Sequence, residues 1–107
     1  MHELREIDVD ELADRLAAGT AVIDVRETDE YLEAHVPGAV LIPLSELSDR
    51  VADVPAGEPV LVICKSGGRS AKACEFLGAQ GLDVTNVAGG TMAWINSGRE
   101  VNEGPEA

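Results

Sequence analysis

Four consecutive apolar residues, Val60-Leu61-Val62-Ile63, run without a break into Cys64. A half-exposed strand alternates apolar and polar side chains. A short run that is apolar on both sides therefore reads as a strand covered on both faces. Such strands belong to parallel sheets, whose crossover connections lay helices against each face. The rest of the chain fits that frame, because short apolar runs alternate with helical patterns in the manner of βαβ units.

Leu4 to Ile7 reads as a short edge strand. Asp8, three residues before Glu11, makes a capping-box-like start for a helix that carries Val9, Leu12, Ala13 and Leu16 on one face and stops near Gly19. Ala21 to Val25 is a buried strand, and Thr28 caps a short helix through Ala34. His35-Val36-Pro37-Gly38-Ala39 is a turn, punctuated by Pro37-Gly38, and leads into a strand from Val40 to Ile42. Ser45 is expected to cap a helix with Leu44, Leu47, Val51 and Val54 on one face, before the loop Pro55-Ala56-Gly57. After Cys64 come a glycine-bearing loop, a helix from about Ser70 to Gln80, a strand from Val84 to Val87, Gly89-Gly90 and a short helix from Thr91 to Ile95. One domain over residues 1–107 is expected, with its core at about 5–98 and a tail at about 99–107 that has little to bury and is expected to be flexible.

With 107 residues, 45% apolar and 26% charged, the chain can build one core and is neither membrane-like nor disordered. Twenty acids against eight bases leave a formal charge of −12. That charge argues against nucleic acid and membrane partners, and any anionic substrate must be held by local positive potential. Met1 to Glu6 shows no basic patch followed by an apolar stretch, so no signal peptide is expected and the expected location is cytoplasmic. Cys64 and Cys74 cannot make a disulfide framework and have no metal-ligand spacing. Nothing in the sequence requires a metal or an organic cofactor.

Chemistry concentrates after the central strand. In open α/β sheets, sites form at the carboxyl ends of strands. Cys64 sits at such an end, followed by Lys65, Ser66, Gly67, Gly68, Arg69 and Ser70. The two glycines let the loop curl with its N–H groups inward, as an anion nest, and the following helix adds the positive end of its dipole. A helix N-terminus contributes about 0.3–2 kcal/mol to a nearby anion. At about 1.36 kcal/mol per unit, that lowers a thiol pKa by up to roughly 1.5. Lys65 and Arg69 are expected to push the same way. Cys64 therefore reads as a nucleophile that is largely thiolate near neutral pH.

Cys64-Lys65-Ser66-Gly67-Gly68-Arg69-Ser70 resembles the active-site loop of rhodanese-like domains. Ile23-Asp24-Val25-Arg26-Glu27 with Glu30-Tyr31, then His35-Val36-Pro37-Gly38-Ala39 with Ile42-Pro43, and finally Gly89-Gly90 with Ala93-Trp94, resemble further motifs of that family in the same order. One departure is Ala34, where a glycine usually precedes the histidine. The resemblance implies an α/β fold with a five-stranded parallel sheet of order 3-2-4-5-1 and helices on both faces. The ends of the strands bearing Asp24 and Cys64 would then be neighbours. It also implies a sulfurtransferase: Cys64 takes the outer sulfur of thiosulfate or a similar donor as a persulfide and yields it to a thiophile such as cyanide or a thiol. Lys65 and Arg69 would hold the sulfonate end of the donor. Phosphatase and arsenate-reductase relatives place five residues between cysteine and arginine. Four intervene here, which suits one sulfur atom better than a tetrahedral oxyanion. A sulfur-relay module serving a sulfur-carrying protein is the alternative to turnover of small molecules alone.

The supporting residues have open readings. Asp24 orients the loop or Arg26, or is an ion pair at a strand end. Arg26 is expected to pair with Glu30, with help in anion binding as the alternative. His35 stabilises its turn, with proton transfer as the alternative. Ser66 and Ser70 donate to the sulfur or cap the helix. Gly89 and Gly90 permit a close backbone approach to the loop. Cys74 packs inward, and pairing it with Cys64 would distort the helix. Val36 and Leu44 are candidates for an apolar rim at the mouth.

Overall fold

The computed structural model describes residues 4–107; Met1 to Glu3, the start of the segment read above for a targeting signal, lie outside them. In chain order the elements are β1 (Glu6–Ile7), α1 (Val9–Ala17), β2 (Ala21–Asp24), α2 (Thr28–Glu33), β3 (Val40–Leu41), β4 (Val60–Ile63), α3 (Gly68–Ala79), β5 (Val84–Val87) and α4 (Gly90–Asn96). The strands form one sheet, ordered β1-β5-β4-β2-β3, with every pairing parallel. This is the expected 3-2-4-5-1 order read from the opposite edge.

All four residues of β4 are buried. Val60 and Val62 pack on one face with Ala73, Cys74 and Leu77 of α3 and with Leu47 and Val54. Leu61 and Ile63 pack on the other with Leu12 of α1 and Trp94 of α4. The period of two along the strand thus supplies both cores from one unbroken apolar run. Asp24 lies opposite Ile63, so β2 and β4 end side by side.

Asp8 caps α1 as expected, its carboxylate accepting from the Glu11 amide at 2.9 Å. The cap of α2 differs from expectation. The first helical residue is Thr28, and the Glu30 carboxylate reaches back to the Glu27 amide at 3.1 Å. The helix expected after Ser45 is instead two 3-10 turns, Leu44–Asp49 and Val51–Asp53. Residues at i and i+3 eclipse in a 3-10 turn, which sets Leu44 with Leu47 and Val51 with Val54 against the sheet.

The tail is docked. His35 and Asn102 exchange two backbone hydrogen bonds of 2.9 Å, Gly104 donates to the Leu32 carbonyl at 2.8 Å, and the Trp94 indole donates to the Glu100 carbonyl at 2.7 Å. The tail does have little to bury, with Val101 its only apolar residue packed on the α1–α4 side. Apart from the Arg99–Asp10 ion pair, it is held mainly through its own main-chain groups, which no side-chain pattern advertises. Among the described residues, no helix is long and apolar enough to cross a membrane.

Candidate active site

Cys64 continues the Val60–Val62 face of β4, which puts its sulfur beneath the start of α3. The residue is 1% exposed. Gly67 adopts φ +112°, a left-handed conformation open chiefly to glycine, and so turns its amide back over the thiol. That amide lies 3.1 Å from Cys64 Sγ, and the Ser70 hydroxyl lies 3.2 Å from it. Burial opposes ionisation of the thiol. The Ser70 hydroxyl and the amides of Ser70, Gly67 and Ser66 outweigh burial together and bring the thiol below its ordinary pKa. The leading stabilisation therefore comes from neutral donors rather than from the nearby cations.

The loop is held open-side inward from behind. The amide of Thr91 donates to the Cys64 carbonyl at 2.9 Å, its hydroxyl to the same oxygen at 3.0 Å, and the Met92 amide to the Lys65 carbonyl at 3.0 Å. The start of α4 thus takes the loop carbonyls, leaving the amides to the sulfur. Gly90 makes this approach possible, as expected of the glycine pair. A Cβ there would stand 2.5 Å from the Cys64 carbonyl oxygen and 2.6 Å from that of Lys65.

Asn86, which the sequence reading did not single out, braces the loop from the sheet. Its Nδ2 donates to the Gly67 carbonyl at 3.3 Å and to Glu6 at 2.9 Å. Its Oδ1 is buried with no partner among the described residues. Flipping the amide would point that oxygen at a carbonyl and a carboxylate, so the orientation is set. The available signal was a polar residue between the buried apolar positions Val84 and Val87.

The supporting residues fall into place differently from expectation. Arg26 pairs with Asp24, not with Glu30. Its Nε lies 3.1 and 3.0 Å from the two carboxylate oxygens and its Nη2 2.8 Å from one of them, with a further bond of 2.7 Å to the Ala34 carbonyl. Asp24 also accepts from the Arg26 amide at 3.0 Å. Two residues apart on the β2 end, the buried carboxylate and the guanidinium fork meet without crossing another element. Glu30 instead takes Arg69, with Nη1–Oε1 at 2.6 Å and Nη2–Oε2 at 2.9 Å. The Arg69 fork, expected to hold a donor's anion, is therefore occupied. Hydrogen bonding to Arg69 is the main reason the Glu30 carboxyl falls to about 2.

His35 is fully buried and stacks on Tyr31 with ring centroids 3.7 Å apart. Its ring nitrogens lie 2.8 Å from the Tyr31 carbonyl and 2.6 Å from that of Glu106. These contacts tie the turn to the tail and support the turn-stabilising reading. Val36 is likewise fully buried and so forms no rim, while Leu44 is half-buried and packs on the core. Met92 and Ile95, each 46% exposed, line a groove of about 210 Å³ together with Arg26, Glu30, Lys65 and Thr91. Cys74 packs inward, and burial pushes its thiol up to about 12. Among the described residues, no group of three or more His, Cys, Asp or Glu side chains is placed to hold a metal ion.

Comparison with known proteins agrees with this geometry. Residues 8–97 match the family model for the rhodanese-like domain. The chain is 34% identical over 98 residues to a sulfurtransferase of Allochromatium vinosum, covering 89% of this chain and 92% of that one. A rhodanese-related protein from Thermoplasma volcanium superposes with a TM-score of 0.86 at 36% identity, covering 92% of this chain and 97% of that one. A thiosulfate sulfurtransferase from Pseudomonas aeruginosa superposes with a TM-score of 0.85 at 30% identity over 96% of this chain but only 20% of that one. A cysteine-bearing loop closed by α4, on a parallel sheet of this order, thus coincides with a family match over most of the chain: the protein belongs to the rhodanese-like domain family.

Proposed function

We propose that the protein is a sulfurtransferase in which Cys64 carries the transferred sulfur as a persulfide. The Cys64 thiolate attacks the outer sulfur of thiosulfate or a similar donor. The donor's S–S bond breaks, and sulfite departs with the bonding pair. The outer sulfur, now bonded to Cys64, lies within reach of the loop amides, which stabilise its charge. A thiophile such as cyanide or a thiol then attacks that outer sulfur and returns Cys64 as thiolate. Lys65 is the cation free to meet the donor. Ser66, Gly67, Gly68 and Ser70 form the cradle. Asp24 and Arg26 brace the wall beside it, and His35 holds the turn that follows.

The observation that carries this reading is the pair of donors 3.1 and 3.2 Å from one thiol at a strand-to-helix junction. Intact mass after thiosulfate treatment tests it. A gain of one sulfur, reversed by a reductant and absent in Cys64→Ala, is expected; a thiosulfate-treated protein of unchanged mass would overturn it. The exposed Met92 and Ile95 beside Lys65 favour a second reading, in which the acceptor or donor is a protein thiol. Turnover only in the presence of a partner desulfurase would select that reading. A cytoplasmic setting, where thiols stay reduced, is part of the same proposal.

A further inference from the structure

All six arginines of the chain are held by carboxylates: Arg5 by Asp83, Arg15 by Glu11, Arg26 by Asp24, Arg50 by Glu46 and Asp53, Arg69 by Glu30, and Arg99 by Asp10. The arrangement matters most at the mouth of the site. There the cations are Arg26, Lys65 and Arg69, and facing them are Asp24, Glu30 and Glu33. Lys65 alone of the three cations is in no ion pair among the described residues. The mouth thus balances to zero before Cys64 ionises and is negative afterwards, in a chain whose formal charge is −12.

Sulfane-sulfur donors differ in the charge of the half that leaves. When a thiolate takes the outer sulfur of thiosulfate, the S–S bond breaks and sulfite leaves as a dianion. When it takes the terminal sulfur of a thiol persulfide, R–S–SH, the S–S bond breaks and the thiolate R–S⁻ leaves with a single charge. The sulfur passes from one thiol to another, so no outside oxidant or reductant is needed. A compact dianion requires a strong, local cation to develop against, and the guanidinium fork is the group whose geometry fits it. Here Glu30 fills that fork with two bonds, at 2.6 and 2.9 Å.

We propose that Glu30 is a specificity-determining residue: by occupying the Arg69 fork, it favours persulfides of thiols as sulfur donors over thiosulfate. Glu30 acts through Arg69 and does not itself touch the reacting sulfur. Specificity of this kind is a difference between two donors, produced by withholding a contact from one of them. The inference rests on the reading of Cys64 as the sulfur acceptor.

The test compares kcat/KM for thiosulfate and for cysteine persulfide in the wild type and in Glu30→Gln. Releasing Arg69 should raise the thiosulfate-to-persulfide ratio about tenfold, equivalent to about 1.4 kcal/mol. The double variant Glu30→Gln, Arg69→Gln should lose that gain. A ratio that stays the same or falls in folded Glu30→Gln overturns the proposal. A salt series compares the two proteins. Between about 0.05 and 0.5 M salt, thiosulfate kcat/KM should depend more steeply on salt in Glu30→Gln than in the wild type, because a freed Arg69 adds a screenable attraction to that of Lys65. An equal or shallower dependence in Glu30→Gln would overturn the proposal. If neither donor adds sulfur to Cys64, the acceptor reading itself fails. That result is distinct from a loaded Cys64 with an unchanged ratio.

Discussion

The carbonyl oxygen of Cys64 accepts a hydrogen bond from the amide of Thr91, 2.9 Å away, although the two residues lie on different elements of the fold. A peptide group has two ends. Once α4 has engaged the carbonyls of Cys64 and Lys65, the loop presents its N–H groups to the thiol. The direction in which the loop amides point is therefore set from outside the loop.

Gly90→Ala should break that relationship. The added Cβ would stand 2.5 Å from the Cys64 carbonyl oxygen, and the backbone at φ +59° is one that L side chains rarely adopt. A strained position of this kind costs about 1–3 kcal/mol. Denaturant unfolding should show a loss of that order. The rate of Cys64 alkylation against pH should inflect closer to the free-cysteine value of about 8.5.

Ser70→Ala removes the hydroxyl 3.2 Å from the sulfur and leaves the amides in place. A hydrogen bond to a charged group contributes about 1.5–3 kcal/mol. The alkylation inflection should rise by about one to two units, since the lost bond favoured the thiolate. The direction is the discriminating result: an inflection that stayed put would assign the low pKa to the backbone alone.

Asn86→Ala removes the donor that braces the Gly67 carbonyl. It also removes a buried oxygen that has no partner among the described residues, so the net stability loss should be modest, about 1 kcal/mol. The site should suffer more than the fold. Persulfide formation should slow while thermal unfolding moves only a few degrees.

Glu30 has its folded-state pKa lowered to about 2, chiefly by hydrogen bonding from Arg69. In an unfolded chain a glutamate titrates near 4.3. The contribution of this group is thus complete above about pH 4.3 and is lost as pH falls toward 2. Glu30→Gln should flatten that part of the stability profile relative to the wild type, as measured by urea midpoints across the acid range. The pair is partly exposed, so added salt should shrink the difference.

Cys74 should behave as an inert core residue. Burial pushes its thiol up to about 12, so alkylation of the native protein at pH 8 should label Cys64 and spare Cys74. Peptide mapping after iodoacetamide treatment reads this directly. Cys74→Ala should still form the Cys64 persulfide and should lose about 1–2 kcal/mol of stability from the vacated volume.

Much of the architecture was legible along the chain because it depends on local periodicity. The apolar run Val60–Ile63 identified the central strand, and the capping pair Asp8 and Glu11 located the first helix. The strand order and the reaction class came from resemblance rather than from spacing. The segment after Ser45 was ambiguous along the chain because the i, i+3 spacing of Leu44 and Leu47 satisfies either kind of helix. The docking of the tail was not legible because mainly backbone hydrogen bonds carry it.

By itself, the sequence determined where the candidate site sits: a thiol at the end of a strand buried on both faces, followed by glycines that permit a curled loop. Those are properties of neighbouring residues, and they survive any arrangement of the distant parts. Partnership was decided only by the tertiary structure. Asp24 or Glu30 was equally available to Arg26 by charge, and Arg69 had many acids to choose from. Once the sheet set Asp24 against Arg26, the Glu30 carboxylate faced Arg69, 39 positions away in the chain. Ion pairing is decided by distance and desolvation in three dimensions, and a linear string of charges contains neither.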